Sequence, residues 1–513
     1  MFTRKTLCWL SVLVTFCLVI ITFPPRLPAQ SNTATVTIDF EKTLQEWDGF
    51  GFNYVEVSQT RDYQKHPQEY GGFSALSEPK RQEILELIFG AEGLRVGVVK
   101  MFLDPFHEGL TKAGNDNTAP NVIEMSRFDH TTTTKWMRYF VKEGLKKTRA
   151  RGSDLQIVTT MYGPPPWATK QKFMRGRDLD PAEKYEVAEY MISWAKYLRE
   201  VEGLPVKYIS LHNEGEDFSR WPVDGKSAGH PNHDYNLYWP PWQVVDFLKL
   251  MRQMLDRQGM QDVGVTPGET TNWYRFAQWH YANAIAADAD ALRSLGLITS
   301  HGFTGEGEWY SDWRSNGIDL LRELRPELHA WTTSMTWGKM DAVFADDLRQ
   351  QVYTAKVNAV IPWAGIQTSN WIGGDPNPGA AFRVLEDCGC YSVLPGYYYY
   401  KPITRAGQPG MKVASVTSSD ATLRALAFAS NGTKHPDAFV IINTDTYTRP
   451  AILNDTRPVE IRLRGSRTTR FLAYRTAGGG REKYVPLGEF IASDGALRYD
   501  APQNSVTAFF AQP

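Results

Sequence analysis

The feature that most constrains this chain is a repeated alternation of short apolar strands and amphipathic helices, running through most of its 513 residues. The spacing predicts strands at residues 49–53, 93–99, 155–161, 206–211, 263–266, 297–300, 328–331 and 359–363. Helical segments lie between them. One sets Val187, Tyr190, Met191, Trp194, Tyr197 and Leu198 on a single face, and another does the same with Val244, Phe247, Leu248, Met251 and Leu255. Apolar strands joined through helices belong to a parallel sheet, because the chain must cross back over the sheet before the next strand can pair. Eight such strands predict an α/β fold, a closed (β/α)8 TIM barrel. An open doubly wound sheet is the alternative, but no glycine-rich phosphate loop opens any helix.

The pattern changes after Tyr391. Short runs at 411–416, 427–429, 438–443, 459–463, 471–474 and 506–510 are separated by turn residues, as in a C-terminal antiparallel β-sandwich domain. An early stretch, 35–40, alternates apolar and polar residues and is expected to join that sandwich. The expected organisation is a signal peptide over 1–29, a strand of the sandwich within 30–44, the barrel over 45–395 and the sandwich over 396–513.

The signal assignment rests on Arg4 and Lys5 ahead of an apolar run over 7–23, with a small-residue cut after Ala29. An uncleaved anchor is the competing reading, and the missing cluster of Lys and Arg after the run favours cleavage. The chain is then exported, to the periplasm or the exterior, with no stable membrane association after cleavage. A net charge of -1 gives no electrostatic reason to expect a nucleic-acid partner. Cys388 and Cys390 are the two cysteines outside the signal. A bridge across one residue would close a small, strained ring, so a disulfide is not the default expectation. Arg95, Lys100, Arg220 and Lys226 could meet an acidic sugar such as a uronate or sulfated unit, but solvated surface charge is the favoured reading of each.

In a barrel the working face is formed at the C-terminal ends of the strands and by the loops that leave them. The third expected strand leads into Pro-rich residues and Trp167, the fourth into His212, Asn213, Glu214 and Glu216, and the fifth into Glu269. The sixth gives His301, then Glu306, Glu308 and Trp309; the seventh gives Trp331 and the eighth Trp363, Trp371 and Asp375. Singly each has a plain structural role. Together, aromatics and carboxylates on one face describe a carbohydrate cleft. A carboxyl at a strand end in such a cleft suits general acid work. His107, His130, His230 and His233 are scattered without a zinc-binding spacing, so no metal and no cofactor are expected.

The ordered set Asp48-Gly-Phe-Gly51, Gly163-Pro-Pro-Pro-Trp167, Asn213-Glu214 and His301-Gly-Phe303 resembles clan A glycoside hydrolases, most closely family 30. The resemblance covers the whole mature chain and implies a (β/α)8 barrel with a side β-sandwich built from both termini. It also implies that Glu214 is the general acid/base and that Asn213 bonds a sugar hydroxyl. Trp167, His301 and Trp363 would line the subsite. One departure stands out. In that clan a second Glu ends the seventh strand, after a Trp-x-x triplet, and serves as nucleophile; here Trp331-Thr-Thr is succeeded by Ser334. Either the chain is inactive, or another carboxylate serves, or the strand ends elsewhere. Glu269 is the first substitute, then Glu216, Glu306 and Glu308. Three function classes therefore stand, in this order: an exported glycosidase, a non-catalytic carbohydrate-binding relative on the same fold, and a barrel enzyme of other chemistry such as a metal-dependent hydrolase.

Overall fold

The computed structural model describes residues 33–55, 71–107, 122–173, 176–218, 237–303, 314, 316–368, 379–445 and 456–513. The signal stretch, Glu306, Glu308, Trp309, Trp371, Asp375, Arg220, Lys226, His230 and His233 lie outside them. Strands run β1 (Ala34–Glu46), β2 (Gly49–Asn53), β3 (Val98–Leu103), β4 (Gln156–Met161), β5 (Val206–Ser210), β6 (Gly264–Thr266), β7 (Ile298–Ser300), β8 (Ala330–Thr336) and β9 (Ala359–Trp363). Next come β10 (Ile366–Thr368), β11 (Phe382–Leu385), β12 (Cys390–Val393), β13 (Lys412–Ser418), β14 (Leu423–Ala429) and β15 (Ala438–Asn443). The last are β16 (Thr456–Arg464), β17 (Arg470–Ala477), β18 (Glu482–Ile491), β19 (Ala496–Pro502) and β20 (Ser505–Ala511). Helices are α1 (Glu78–Phe89), α2 (Lys135–Ala150), α3 (Lys184–Glu200), α4 (Pro241–Arg257), α5 (Trp273–Gln278), α6 (Tyr281–Ala287), α7 (Ala289–Ser294), α8 (Asn316–Leu324), α9 (Ala342–Tyr353) and α10 (Pro395–Ala406).

Strands β2 to β9 pair in parallel in the order β6-β5-β4-β3-β2-β9-β8-β7, with helices between successive strands. The two ends meet. Bridges Val265↔Leu295 and Thr270↔Ser300, with Gly296 N donating to Val265 O at 2.8 Å, close the sheet into a (β/α)8 barrel. Glycine makes that seam tight: a Cβ on Gly296 would lie 2.5 Å from the Gly264 Cα. Side chains alternate along each strand, so every second residue fills the barrel. Val98, Val158, Tyr208, Leu297, Trp331, Ala359 and Ile361 form the lower packed layer. Two residues further along, Lys100 and Thr160 sit on the same inward faces one layer up.

Within the barrel, two strands differ from the sequence expectation by several residues. Strand β3 starts at Val98, not at residue 93, because Arg95 adopts a left-handed φ of 59° and the apolar run continues through the buried Lys100 to Leu103. Strand β8 runs on to Thr336, five residues past Trp331, and carries a bulge between Thr332 and Met335 opposite β9.

The second unit is a nine-stranded sheet in the order β18-β17-β20-β15-β14-β13-β1-β16-β19. It folds over until its two ends meet, with the Phe490 and Tyr499 rings 5.9 Å apart, which makes it a two-layered sandwich. Strand β15 shows the layering. Phe439 and Ile441 enter the sandwich core, while Ala438, Val440 and Ile442 join the core shared with the barrel. That continuous second face, with α10 packed on β17 and β20, ties the two units together. Among the described residues no helix is long and apolar enough to cross a membrane. Cys388 and Cys390 form a disulfide, contrary to the default drawn from spacing; Gly389 between them takes a left-handed φ of 51° that makes the short turn possible.

Candidate active site

Beyond the ends of β5 and β6 the two chain segments stay paired. Glu269 N donates to His212 O at 2.8 Å and Glu214 N donates to Glu269 O at 2.7 Å, with Asn213 and Glu269 bridged in parallel. This brings Glu214 and Glu269 side by side at the C-terminal mouth of the barrel. Glu214 has a φ of 52°, a left-handed conformation that costs a non-glycine residue about 1–2 kcal/mol. Such strain is stored where surrounding bonds over-determine the backbone, and here the ladder to Glu269 does so.

His301, just past β7, connects the two carboxylates. Its Nδ1 lies 2.7 Å from Glu214 Oε1 and its Nε2 lies 3.1 Å from Glu269 Oε2. Glu269 is held further. Lys100 Nζ pairs with Oε2, and Thr160 Oγ1 donates to Oε1 at 2.8 Å. Lys100 Nζ also donates to Ser334 Oγ at 3.3 Å. Lys100 and Glu269 are fully buried, whereas the Glu214 side chain keeps 11% of its surface open.

Burial would raise the Glu269 carboxyl, but the Lys100 charge and the His301 hydrogen bond outweigh it and hold the group at about 2. Glu269 is therefore a fixed anion. Burial and the Lys100 charge push His301 down, and its bonds to Glu214 and Glu269 more than restore it, so its pKa lies above the ordinary histidine value. His212 behaves in the opposite way: burial drives it to about 3, and as a neutral ring it accepts the Gly215 N–H at 3.0 Å. Gly268 covers that ring with a φ of +94°, where a Cβ would lie 2.1 Å from His212 Cδ2.

The residues nominated from sequence fall into three groups. Glu214, Glu269, His301 and Asn213 are brought together. Trp363 stands at the end of β9, edge-on to Phe102 at 5.7 Å, and Trp167 sits half-buried in the turn after β4. Trp331 is elsewhere: fully buried in the lower layer of the barrel, its Nε1 donates to Asp48 Oδ2 at 2.7 Å, so it does not face a cleft. Glu216 is also committed away from the cluster, accepting from Thr271 N at 2.8 Å and Arg275 Nη1 at 3.1 Å. Lys100 is not surface charge but the buried counter-ion of Glu269. Spacing does not single out Thr160 at all. An inward-facing polar residue two positions from an inward apolar one is the available signal for both.

No protein-family model matches the chain, and no curated protein matches it by sequence. Solved structures do match in fold. A glycoside hydrolase family 30 subfamily 8 xylanase from Clostridium acetobutylicum superposes with a TM-score of 0.64 at 16% identity, over 93% of this chain and 100% of that one. The catalytic domain of a GH30 xylanase C from Talaromyces cellulolyticus gives a TM-score of 0.65 at 16% identity over the same shares. An endo-β1,6-glucanase gives 0.65 at 15% identity, over 93% of this chain and 94% of that one. The chain thus has the barrel-and-sandwich fold of these glycoside hydrolases.

Proposed function

We propose that this chain is an exported glycosidase that cleaves O-glycosidic bonds in a poly- or oligosaccharide, with Glu214 as the general acid/base. The observation that carries the reading is the linkage Lys100–Glu269–His301–Glu214, in which Glu214 is the open end. Glu269 stays ionised, so one proton is shared between His301 and Glu214 across 2.7 Å. Glu214 would give that proton to the leaving oxygen, and the proton lost by the attacking water would return to the His301–Glu214 pair afterwards. A structural scaffold has no need of such a chain, since a buried ion pair is no more stabilising than apolar packing of the same volume.

Glu269 enters this mechanism as a positioning residue. Its carboxylate is enclosed by Lys100, Thr160 and His301, and it acts on Glu214 through the imidazole. Were it to reach a water directly, the intervening ring would favour the wider carboxylate spacing of inverting enzymes, roughly 6.5–9.5 Å, over the roughly 5 Å of retaining ones. Glu306 and Glu308, after β7, are the other candidates for the second carboxylate. Export is part of the proposal and rests on the apolar run over 7–23. A second reading, a sugar-binding relative without turnover, is favoured by one observation: Ser334, beside Lys100, leaves β8 without an acid.

The test is release of reducing sugar from soluble xylan, β-1,6-glucan and other neutral, uronic and sulfated polysaccharides. Glu214→Gln is expected to lower turnover by about 10²–10⁴-fold, the range for loss of a general acid. Turnover unchanged in Glu214→Gln refutes the assignment. Binding without turnover by the parent on every substrate favours the second reading.

A further inference from the structure

The sandwich carries a cleft that shares no residue with the Lys100–Glu214 cluster. It has a volume of about 770 Å³, within the range of ligand pockets. It lies where the two end strands of the folded sheet, β18 and β19, approach without pairing. Leu487, Phe490 and Tyr499 supply its apolar surface, and Arg475, Arg498 and Glu460 its polar groups. One of these groups, Arg475, is held in place. Arg475 is forked onto Glu482 at 2.6 and 2.8 Å and reaches the Tyr499 hydroxyl at 3.5 Å, which in turn lies 2.7 Å from Thr507 Oγ1.

A peptide strand is a poor occupant. Against β17, Gly488 faces Ala473 and Pro486 faces Tyr474, so Leu487 is bulged out, and Pro486 has no N–H to offer. A bulged, proline-bearing edge does not template an added strand, and recognition must come from side chains. Rings beside polar side chains suit a sugar, which presents C–H faces to the rings and hydroxyls to Arg498, Glu460 and Asp500. The charges argue for a neutral sugar: Arg475 is matched by Glu482, and Arg498 shares the cleft with Glu460 and Asp500.

We propose that this seam is a second, non-catalytic binding site for a neutral oligosaccharide chain; the choice of ligand class rests on the carbohydrate reading above. It would hold a polymer on the sandwich while the barrel acts on it. The experiment is affinity gel electrophoresis of the full chain in soluble xylan and in β-1,6-glucan, with the parent, Glu214→Gln, Leu487→Ser and Arg498→Ala. Circular-dichroism melting checks that each variant folds. Retardation by one of the glycans should survive Glu214→Gln and weaken roughly tenfold in Leu487→Ser and Arg498→Ala, as for loss of one well-packed contact. Loss of retardation in the seam variants supports the site even if no substrate is ever turned over, so the two proposals fail separately. No retardation by either glycan overturns it, as does retardation equal in parent and seam variants, or capture of an extended peptide that Leu487→Ser abolishes.

Discussion

Removing one member of the Lys100–Glu269 pair should cost far more stability than removing both. Both side chains are fully buried, so neither charge can recover water when its partner is lost. The Glu269 carboxyl falls from 4.5 to about 2 against the opposing pull of burial. That fall corresponds to roughly 3 kcal/mol of preference for the ionised form in the folded state. Lys100→Met leaves a buried carboxylate with Thr160 and His301 only, and Glu269→Gln leaves a buried ammonium facing neutral groups. Each should cost about 3–5 kcal/mol, whereas Lys100→Met/Glu269→Gln should fall within about 2 kcal/mol of the parent. The resulting coupling energy is about 3 kcal/mol or more. Urea unfolding monitored by tryptophan emission measures it in the right unit, since no sandwich strand carries a Trp: Trp9 falls in the expected signal and the other 15 lie between residues 47 and 371. The pH dependence has a fixed sign. A depressed carboxyl stabilises the fold above its unfolded value of 4.5, and that contribution disappears as pH falls towards about 2. Single-variant losses that simply add, to within about 0.5 kcal/mol, would refute the ion-pair argument.

The geometry sets two further outcomes. Burial first, then the charges of Asp346 and Asp341, raise the Asp347 carboxyl from 3.8 to about 7. The folded state therefore holds a proton that the unfolded chain releases, and stability is lost as pH rises from about 4 to about 7. Asp347→Asn should stabilise by about 1–2 kcal/mol at pH 8 and not at pH 4, a figure reduced because the side chain is only partly buried; equal melting shifts at both pH values would contradict this. Gly268→Ala forces a side chain into a left-handed turn and onto the His212 ring, and should destabilise by about 1–3 kcal/mol in the same urea assay.

Why the barrel is legible in the sequence and parts of its centre are not comes down to where partners sit. A uniformly apolar strand such as β9 announces itself, since a strand covered on both faces has no polar alternation to blur it. Strand β3 is displaced from its expected place because Lys100 breaks an apolar run, and a charge there reads as a strand end. Its partner Glu269 is 169 residues away, so nothing local distinguishes a buried ammonium from a solvated one. Strand β8 runs long for a related reason. Thr332, Thr333 and Ser334 read as loop, yet Thr332 Oγ1 donates to Gln351 Oε1 at 2.7 Å and Thr333 Oγ1 to Ser300 O at 3.3 Å, so their hydroxyls are satisfied inside. Glu214 and His301 are readable because strand ends fix them on the working face. Trp331 is misplaced by the early strand end that its neighbours suggest for β8.

Charge balance links the departure at Ser334 to the role proposed for Glu269. A buried ammonium needs an anion in contact, and the hydroxyl of Ser334 at 3.3 Å supplies no charge. Glu269 supplies it, and in doing so is drawn under Lys100, Thr160 and His301 with none of its side chain exposed. The Glu214 side chain, 11% exposed, keeps an opening to the mouth of the barrel. On the proposed reading the lysine also fixes the direction of proton movement. It keeps Glu269 ionised, the anion keeps His301 basic, and the proton left over resides between His301 and Glu214, the carboxylate at the open end of the linkage. The residue that position on the barrel nominates as a second catalytic carboxylate is thus the one that Lys100 withholds from the substrate, and its effect is exerted through the imidazole.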